Sequence, residues 1–215
     1  MSIKLQHYIY LHGFASSPLS KKAQYFHKYF IEANLQLNIL DLNENDFSHL
    51  TLSRQLKQVK NSFPYKDIPV TIIGSSFGGL TAAWLGEKYP QVTRLILLAP
   101  AFDFLKHLLF SLGNIQVKQW QKEGYLSIYH YGEKQNIPLN YQFITDLMNY
   151  KESQLKRSIP TLIIHGKNDE TIPIKSSRDY VQTRDYVKLI EFDSDHSLID
   201  KIPQIWKLIQ EFIAY

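Results

Sequence analysis

The chain has 215 residues, of which 44% are hydrophobic and 20% charged, so it is long enough for one well-buried domain and short for two. Its net charge of +4 is spread along the sequence, which argues against a nucleic-acid-binding surface. Because there is no cysteine, the sequence excludes disulfides, thiolate metal sites and cysteine catalysis, and it fits a reducing compartment.

Targeting segments are not indicated. Residues 1–10 contain no basic region followed by an apolar core, so we expect no secretory signal. No apolar run approaches the roughly 18–20 residues that a membrane-spanning helix needs. We therefore expect a cytoplasmic protein with no membrane span, and its oligomeric state stays open.

Short apolar runs alternate with helical patterns along most of the chain. The predicted strands are 8–11, 37–40, 69–73, 93–99, 161–165 and 187–191. The predicted helices are 21–34, 50–62, 80–87, 174–183 and 198–212. This alternation predicts an α/β fold, one domain over residues 1–215 with a six-stranded, mostly parallel sheet and helices on both faces.

The alternation stops between Pro100 and Pro160, where we predict no strand–helix unit. Ten aromatic residues lie there: Phe102, Phe104, Phe110, Trp120, Tyr125, Tyr129, Tyr131, Tyr141, Phe143 and Tyr150. So many rings argue against disorder in this long connection. We predict that residues 101–158 form a cap over the C-terminal edge of the sheet, where ligands of open α/β sheets bind. The alternative is an insertion that packs away from any site.

A glycine-framed serine follows the third predicted strand. Residues 74–78 read Gly-Ser-Ser-Phe-Gly, which is the G-x-S-x-G pattern of a nucleophile elbow. A strand precedes this pattern and a helix follows it, as the motif requires. Ser76 is therefore the predicted nucleophile, held in a strained backbone conformation at the positive end of a helix.

A serine nucleophile needs a base and an acid to orient that base. Asp169 follows the fifth predicted strand and His196 follows the sixth, so the chain order is serine, acid, histidine, as in α/β-hydrolases. Two backbone N–H groups should bind the oxyanion. We assign these to Phe77, directly after the nucleophile, and to Phe14, in the loop after the first strand.

Several residues compete with these assignments. Asp103, Asp193 and Asp195 are alternative acids, although an aspartate adjacent to a histidine points away from its ring in most geometries. His12 and His165 are expected to be hydrogen-bonded loop residues. Lys21 and Lys22 could attract an anionic group, but we expect a solvated helix face.

The remaining histidines are scattered, with no metal-ligand spacing, so we predict no metal site and no cofactor. The aromatic cap predicts an apolar pocket. The expected substrate contacts are Phe14, Phe102 and Phe104.

These residues carry a resemblance to a known family. The chain resembles the small bacterial YqiA-type esterases, a branch of the α/β-hydrolase superfamily, over nearly its whole length. The shared segments are 10–14, 16–18, 22–23, 74–79, 83–85 and 100–101, together with the late aspartate and histidine. The acid loop, residues 165–169, is more similar to that of the wider superfamily.

The resemblance implies a six-stranded core and hydrolysis of short acyl esters or acyl thioesters as small-molecule substrates. Carbon–carbon hydrolases and some lyases use the same triad and stay as alternatives. Dehalogenases and epoxide hydrolases need an aspartate nucleophile, so a serine at position 76 argues against these two enzyme classes. A non-catalytic ligand-binding protein on this fold is a further alternative.

Overall fold

The structure, a computed structural model, describes residues 6–65 and 68–214. The strands of the main sheet are β1 (His7–Leu11), β2 (Leu37–Leu40), β3 (Val70–Ser75), β4 (Val92–Leu98), β7 (Thr161–Gly166) and β8 (Val187–Phe192). A hairpin is formed by β5 (Tyr125–His130) and β6 (Gln135–Asn140). The first five residues, on which the expectation of no secretory signal partly rests, lie outside the described residues.

The α-helices are α1 (Lys21–Glu32), α2 (Leu52–Asn61), α3 (Phe77–Lys88), α4 (Phe104–Glu123), α5 (Gln142–Leu147), α6 (Lys175–Val181) and α7 (Ile202–Ile213). Three 3-10 turns occupy Phe47–His49, Glu152–Gln154 and Ile199–Lys201. No helix within the described ranges combines the length and the apolar character that crossing a bilayer requires.

The main sheet has the strand order β2-β1-β3-β4-β7-β8, and every neighbouring pair is parallel. All six residues of β3 and of β7 are buried, as expected for strands covered on both faces. One core cluster joins the sheet to α1 and α7, and the other joins it to α2 and α3. The predicted six-stranded α/β fold is confirmed.

The predicted break in the strand–helix alternation leaves residues 100–160 outside the main sheet, but this segment holds secondary structure that the sequence analysis did not identify. This segment contains the 20-residue helix α4, the antiparallel hairpin β5–β6, and the short helix α5. Gly113 interrupts α4 with non-helical dihedral angles (φ 71°, ψ 162°), which divides the apolar pattern into two short pieces. The hairpin forms a separate two-stranded sheet, and such a sheet tolerates Pro138 because both of its strands are edge strands.

The two ends of this insertion are joined by a hydrogen bond. The backbone N–H of Asp103, just before α4, donates to Oε1 of Glu152, just after α5, over 2.7 Å. Burial, assisted by the nearby Asp103 carboxylate, raises the pKa of Glu152 to about 7, although the hydrogen bond acts in the opposite direction. The connection therefore includes a carboxyl group that the folded state prefers to keep protonated.

A close backbone contact fixes the turn between β3 and α3. Gly78 lies against the carbonyl oxygen atoms of Leu11 and His12 at the end of β1, and a Cβ atom at this position would overlap both. The overlap is with backbone, which cannot rotate away. Only glycine lets the loop after β1 lie this close to Ser76.

We predict that Gly78→Ala lowers the free energy of unfolding by about 2–3 kcal/mol, because the added methyl group forces α3 away from β1. Denaturant unfolding of the purified variant measures this change. Gly86→Ala is a matched control in the same helix, since its methyl group would meet only the flexible ends of the Ile159 and Leu95 side chains. Equal stability of the Gly78 variant and the wild type would contradict the prediction.

Glu152→Gln tests the effect of the half-buried carboxyl group on stability. The folded state raises the pKa of Glu152 above its usual 4.5, so its contribution to stability is lost as the pH rises from about 4.5 to about 7. Glutamine keeps the acceptor for the Asp103 N–H without the charge. We expect the variant to be more stable than the wild type by about 1–3 kcal/mol at about pH 8, and equal to it near pH 4. A stability difference independent of pH, measured by denaturant unfolding, would contradict the burial argument.

Candidate active site

Ser76 lies at the turn between β3 and α3. Its backbone has φ 54° and ψ −120°, a combination that costs a non-glycine residue about 1–3 kcal/mol. Its N–H donates to the Leu98 carbonyl (2.9 Å), and its own carbonyl accepts from Gly79 (2.8 Å) and Ala101 (3.0 Å). These hydrogen bonds hold the strained turn predicted from the sequence and present the Ser76 hydroxyl at the carboxyl ends of the strands.

The loops after β7 and β8 lie directly against each other. A Cβ atom at Gly166 would overlap the carbonyl oxygens of Ser194 and Asp195, so the absence of a side chain permits this contact. The Asn168 N–H donates to the Ser194 carbonyl over 3.0 Å. The contact brings the loop that carries His196 over the loop that carries the predicted acid.

His196 connects the predicted nucleophile and the predicted acid. Its Nε2 atom is 3.1 Å from Ser76 Oγ, and its Nδ1 atom is 2.7 Å from Asp169 Oδ2. An ionised carboxylate only accepts hydrogen bonds, so Nδ1 carries the proton of the neutral imidazole. Nε2 is then free to accept a proton from the serine hydroxyl.

The Asp169 carboxylate is buried and has four potential hydrogen-bond donors around it. Its Oδ1 atom accepts from the N–H groups of Thr171 (2.9 Å) and Ile172 (2.8 Å), and its Oδ2 atom lies near His196 (2.7 Å) and His165 (3.0 Å). Burial alone would raise the pKa of Asp169, but the hydrogen bonds from the two histidines and Ile172 outweigh it. The pKa stays well below its usual range, so the group is a carboxylate at neutral pH.

The sequence interpretation missed the contact between His165 and Asp169. His165 is hydrogen-bonded, as predicted, but one of its neighbours is the predicted acid. Its fully buried ring places Nε2 near the Ile172 carbonyl (2.9 Å) and the Asp169 carboxylate, both acceptors. Nε2 therefore carries the proton, and Nδ1 accepts from the Ser177 hydroxyl (2.8 Å). The spacing of four residues between His165 and Asp169, across a tight loop, was the available signal.

The three alternative acids have other partners. The Asp195 carboxylate accepts from the backbone and hydroxyl of Ser197, and Asp193 accepts from Asn168. Asp103 lies at the start of the insertion, beside Glu152. None of the three contacts the His196 ring among the described residues.

The two predicted oxyanion donors lie next to Ser76. Phe77 is the first residue of α3, and Phe14 follows Gly13, which lies against the Ser76 side chain. Neither N–H donates to a backbone acceptor among the described loops, turns and helix ends. The protein backbone of the described ranges therefore leaves both amides without an acceptor.

An aromatic cluster fixes these two residues. Phe14, Phe77, Phe104 and Phe143 all pack on one another, with ring centroids 4.8–6.1 Å apart. Phe104 and Phe143 come from the insertion, and Phe14 also contacts Phe47 (5.5 Å). The insertion therefore packs directly against the residues that carry the two amides.

A cavity of about 860 Å³ opens at Ser76 and His196. Phe14 and Phe104 line it, as expected, and Ile128, Tyr129 and Tyr131 of the hairpin region also reach it. Phe102 does not, which corrects that expected contact. Its ring is buried and stacks on Tyr180 at 4.1 Å, because the chain turns inward before α4 begins.

Lys22 departs from the expected solvated helix face. Both lysines line the cavity, but Lys21 is exposed, whereas Lys22 is half-buried and donates from Nζ to Ser75 Oγ over 2.9 Å. Burial lowers the pKa of Lys22 to about 8, although the Asp169 and Asp195 carboxylates act in the opposite direction. The sequence signal that could have indicated this half-buried position was a lysine in the first turn of a helix, where the helix dipole disfavours a cation.

The fold is similar to that of several solved α/β-hydrolase structures. Est1E from Butyrivibrio proteoclasticus, with ferulic acid bound, has a TM-score of 0.79 at 19% identity over 99% of this chain and 91% of its own. Mouse alpha/beta hydrolase domain-containing protein 10 has a TM-score of 0.75 at 20% identity over 97% and 89%. A monoacylglycerol lipase from Paleococcus ferrophilus has 0.74 at 16% identity over 97% and 95%. At these identities the likeness establishes the fold alone.

A search of curated proteins gives no significant match. A family model described as "Uncharacterised protein family (UPF0227)" matches residues 7–213, nearly the whole chain. The chain therefore belongs to this family, the YqiA-type branch of the α/β-hydrolases.

Proposed function

We propose that the protein is a serine hydrolase that cleaves short acyl esters or acyl thioesters through an acyl-enzyme. The observation that carries this proposal is the continuous hydrogen-bonded chain from Ser76 through His196 to Asp169, with distances of 3.1 and 2.7 Å. These three groups come from three different loops: His196 follows Ser76 by 120 residues and Asp169 by 27 residues. The N–H groups of Phe14 and Phe77, which donate to no backbone acceptor in the described part of the chain, add support.

In the first step, Nε2 of His196 takes the hydroxyl proton of Ser76 as Oγ attacks the carbonyl carbon. The negative charge that develops on the carbonyl oxygen is bound by the N–H groups of Phe14 and Phe77. The tetrahedral intermediate then breaks the bond to the leaving alkoxide or thiolate, which takes the proton from Nε2. Water repeats the sequence and releases the acid.

Asp169 has two tasks in this mechanism. It accepts the Nδ1 proton, which fixes the imidazole tautomer, and its charge stabilises the imidazolium that forms. The His165 ring and two backbone N–H groups hold the carboxylate in place and ionised. His165 is therefore a positioning residue that acts through Asp169.

We also propose that residues 101–158 act as a cap over this site. The support is the contribution of Phe104, Ile128, Tyr129 and Tyr131 to the cavity wall and of Phe143 to the aromatic cluster. Apolar walls exclude water and favour an acyl or alcohol group with apolar carbon atoms.

The alternatives are less well supported. Carbon–carbon hydrolysis would need a substrate that forms a stabilised carbanion, and no residue in the site favours that class. A binding protein would not need an imidazole held in the one tautomer that activates a serine. The monoacylglycerol lipase among the structural neighbours is an ester-cleaving enzyme by name, which agrees with the ester proposal.

A fluorophosphonate probe should label the wild-type protein at Ser76, because the probe reacts with a serine that a histidine activates. We expect Ser76→Ala to take no label and to lose at least about 10⁴-fold in kcat/KM for a short-chain 4-nitrophenyl ester. Intact-mass spectrometry and ester assays measure these outcomes. Ser75→Ala, one residue away, is the matched control and should still be labelled.

Turnover undiminished by alanine at position 76 would refute the nucleophile assignment. An unlabelled wild type with no esterase activity would favour the ligand-binding alternative.

Asp169→Asn should lower kcat by about 10⁴-fold, because the amide stabilises the wrong imidazole tautomer. Asp195→Asn is the matched control, since its carboxylate contacts Ser197 rather than His196, and it should change kcat by less than about tenfold. Steady-state kinetics of the two variants measures the difference. The reverse order of effects would assign the acid to Asp195.

A further inference from the structure

Lys22 is a cation in the cavity that the proposed mechanism does not use. It lies in the first turn of α1, and its ammonium group donates to the hydroxyl of Ser75. Ser75 directly precedes Ser76, so their Cα atoms are about 3.8 Å apart. The ammonium group therefore contacts the residue next to the proposed nucleophile, and both Lys22 and Ser76 line the same cavity.

No carboxylate neutralises Lys22 directly. None of the ion pairs among the described residues includes it. Asp169 and Asp195 are close enough to favour its charged form, but both already accept hydrogen bonds from other groups. An ammonium group has three donors, and Ser75 uses one of them.

The position of Lys22 on the helix is electrostatically unfavourable. The first turn of α1 contains two lysines and no acidic residue, whereas the positive end of a helix dipole favours anions. Burial of the ammonium adds a further desolvation cost. An anionic ligand group would offset both, because it is attracted by the lysine and by the helix end together.

The lining of the cavity is partly polar and partly apolar. Ser75, which accepts from Lys22, lines it together with Ser16 and Ser20, and so do Phe104 and Ile128 of the insertion. A ligand that suits this lining has a charged end and an apolar part. The half-buried Lys22 ammonium has two donors left for a ligand, and a carboxylate has two oxygen atoms that can accept them.

We propose that Lys22 forms a carboxylate-binding subsite, and that the substrates are esters or thioesters with a carboxylate close to the scissile bond. This inference rests on the proposed hydrolase function and specifies its substrate class. The carboxylate accepts from the Lys22 ammonium group while the ester carbonyl lies at Ser76. The competing interpretation is that Lys22 only supports Ser75 and does not contact a ligand.

The test compares matched ester pairs that differ in charge and little in shape. One pair carries the charge in the acyl part: monoethyl glutarate against its primary amide, ethyl 4-carbamoylbutanoate. The other carries it in the leaving group: acetoxyacetic acid against acetoxyacetamide. We expect the acid of at least one pair to exceed its amide in kcat/KM by roughly tenfold to a hundredfold. The favoured pair identifies the side of the ester that faces Lys22.

Binding of the same four compounds to Ser76→Ala, measured by calorimetry, gives a readout that needs no turnover. Tighter binding of the acids without any hydrolysis by the wild type would refute the hydrolase and keep the carboxylate subsite. Hydrolysis of acids and amides at equal rates, with equal binding, would keep the hydrolase and overturn the subsite.

Variants of three lysines of the same helix identify the group responsible. Lys22→Met should bring the acid-to-amide ratio of kcat/KM close to one, whereas Lys28→Met, an exposed lysine that does not line the cavity, should leave the ratio as in the wild type. Because the ratio is taken within each variant, a general loss of activity does not change it. Lys21 also lines the cavity, so loss of the preference in Lys21→Met rather than in Lys22→Met would overturn the assignment.

The wild type offers a check that needs no variant. The acid-to-amide ratio should fall as the pH rises from about 7 to about 9.5, since Lys22 loses its proton with a pKa of about 8. The facing carboxylates, Asp169 and Asp195, have lowered pKa values, and burial raises the pKa of Tyr10, so these groups keep their charge state. His196 acts on both members of each pair alike. A ratio that is constant over this range would overturn the proposal.

Discussion

Two close contacts between backbone segments determine whether this site can form. At Gly78 the turn that presents Ser76 lies against the end of β1, and at Gly166 the end of β7 lies against the loop of His196. A parallel sheet brings strand ends to one edge, but only to within several ångströms of each other. Because Gly78 and Gly166 have no side chains, the loops lie closer, and Ser76, His196 and Asp169 come within hydrogen-bond distance of one another.

Asp169 is the electrostatic centre of the arrangement. Two histidine rings approach the same carboxylate, and they differ in exposure: His165 is fully buried, whereas His196 faces the cavity. His165 shares its proton between two acceptors and has a hydroxyl on its other side, so its orientation is fixed. In the proposed mechanism, a carboxylate held in this way keeps its orientation when the His196 ring gains a proton, which is the preorganisation that electrostatic catalysis requires.

The sequence was sufficient for the sheet and for the strand-end residues, because buried parallel strands are apolar runs and the chain order of the motifs is informative. It was insufficient where tertiary contacts decide. Gly113 interrupts the helical pattern of α4, so the sequence did not indicate a single long helix. The aromatic character of Phe102 did not reveal that its ring packs on Tyr180 instead of lining the cavity. Lys22 was assigned to solvent because helical spacing does not indicate which neighbouring loop will cover a residue.

The hydrogen bond between Asp103 and Glu152 joins the two ends of the insertion outside the core. A segment whose ends meet can change in length and composition with little effect on the strands beneath it. Phe104 and Phe143 are exceptions, because their rings pack on Phe14 and Phe77 beside Ser76. The outer part of the insertion can therefore diverge among family members, whereas these two aromatic positions are constrained by the geometry at the sheet edge.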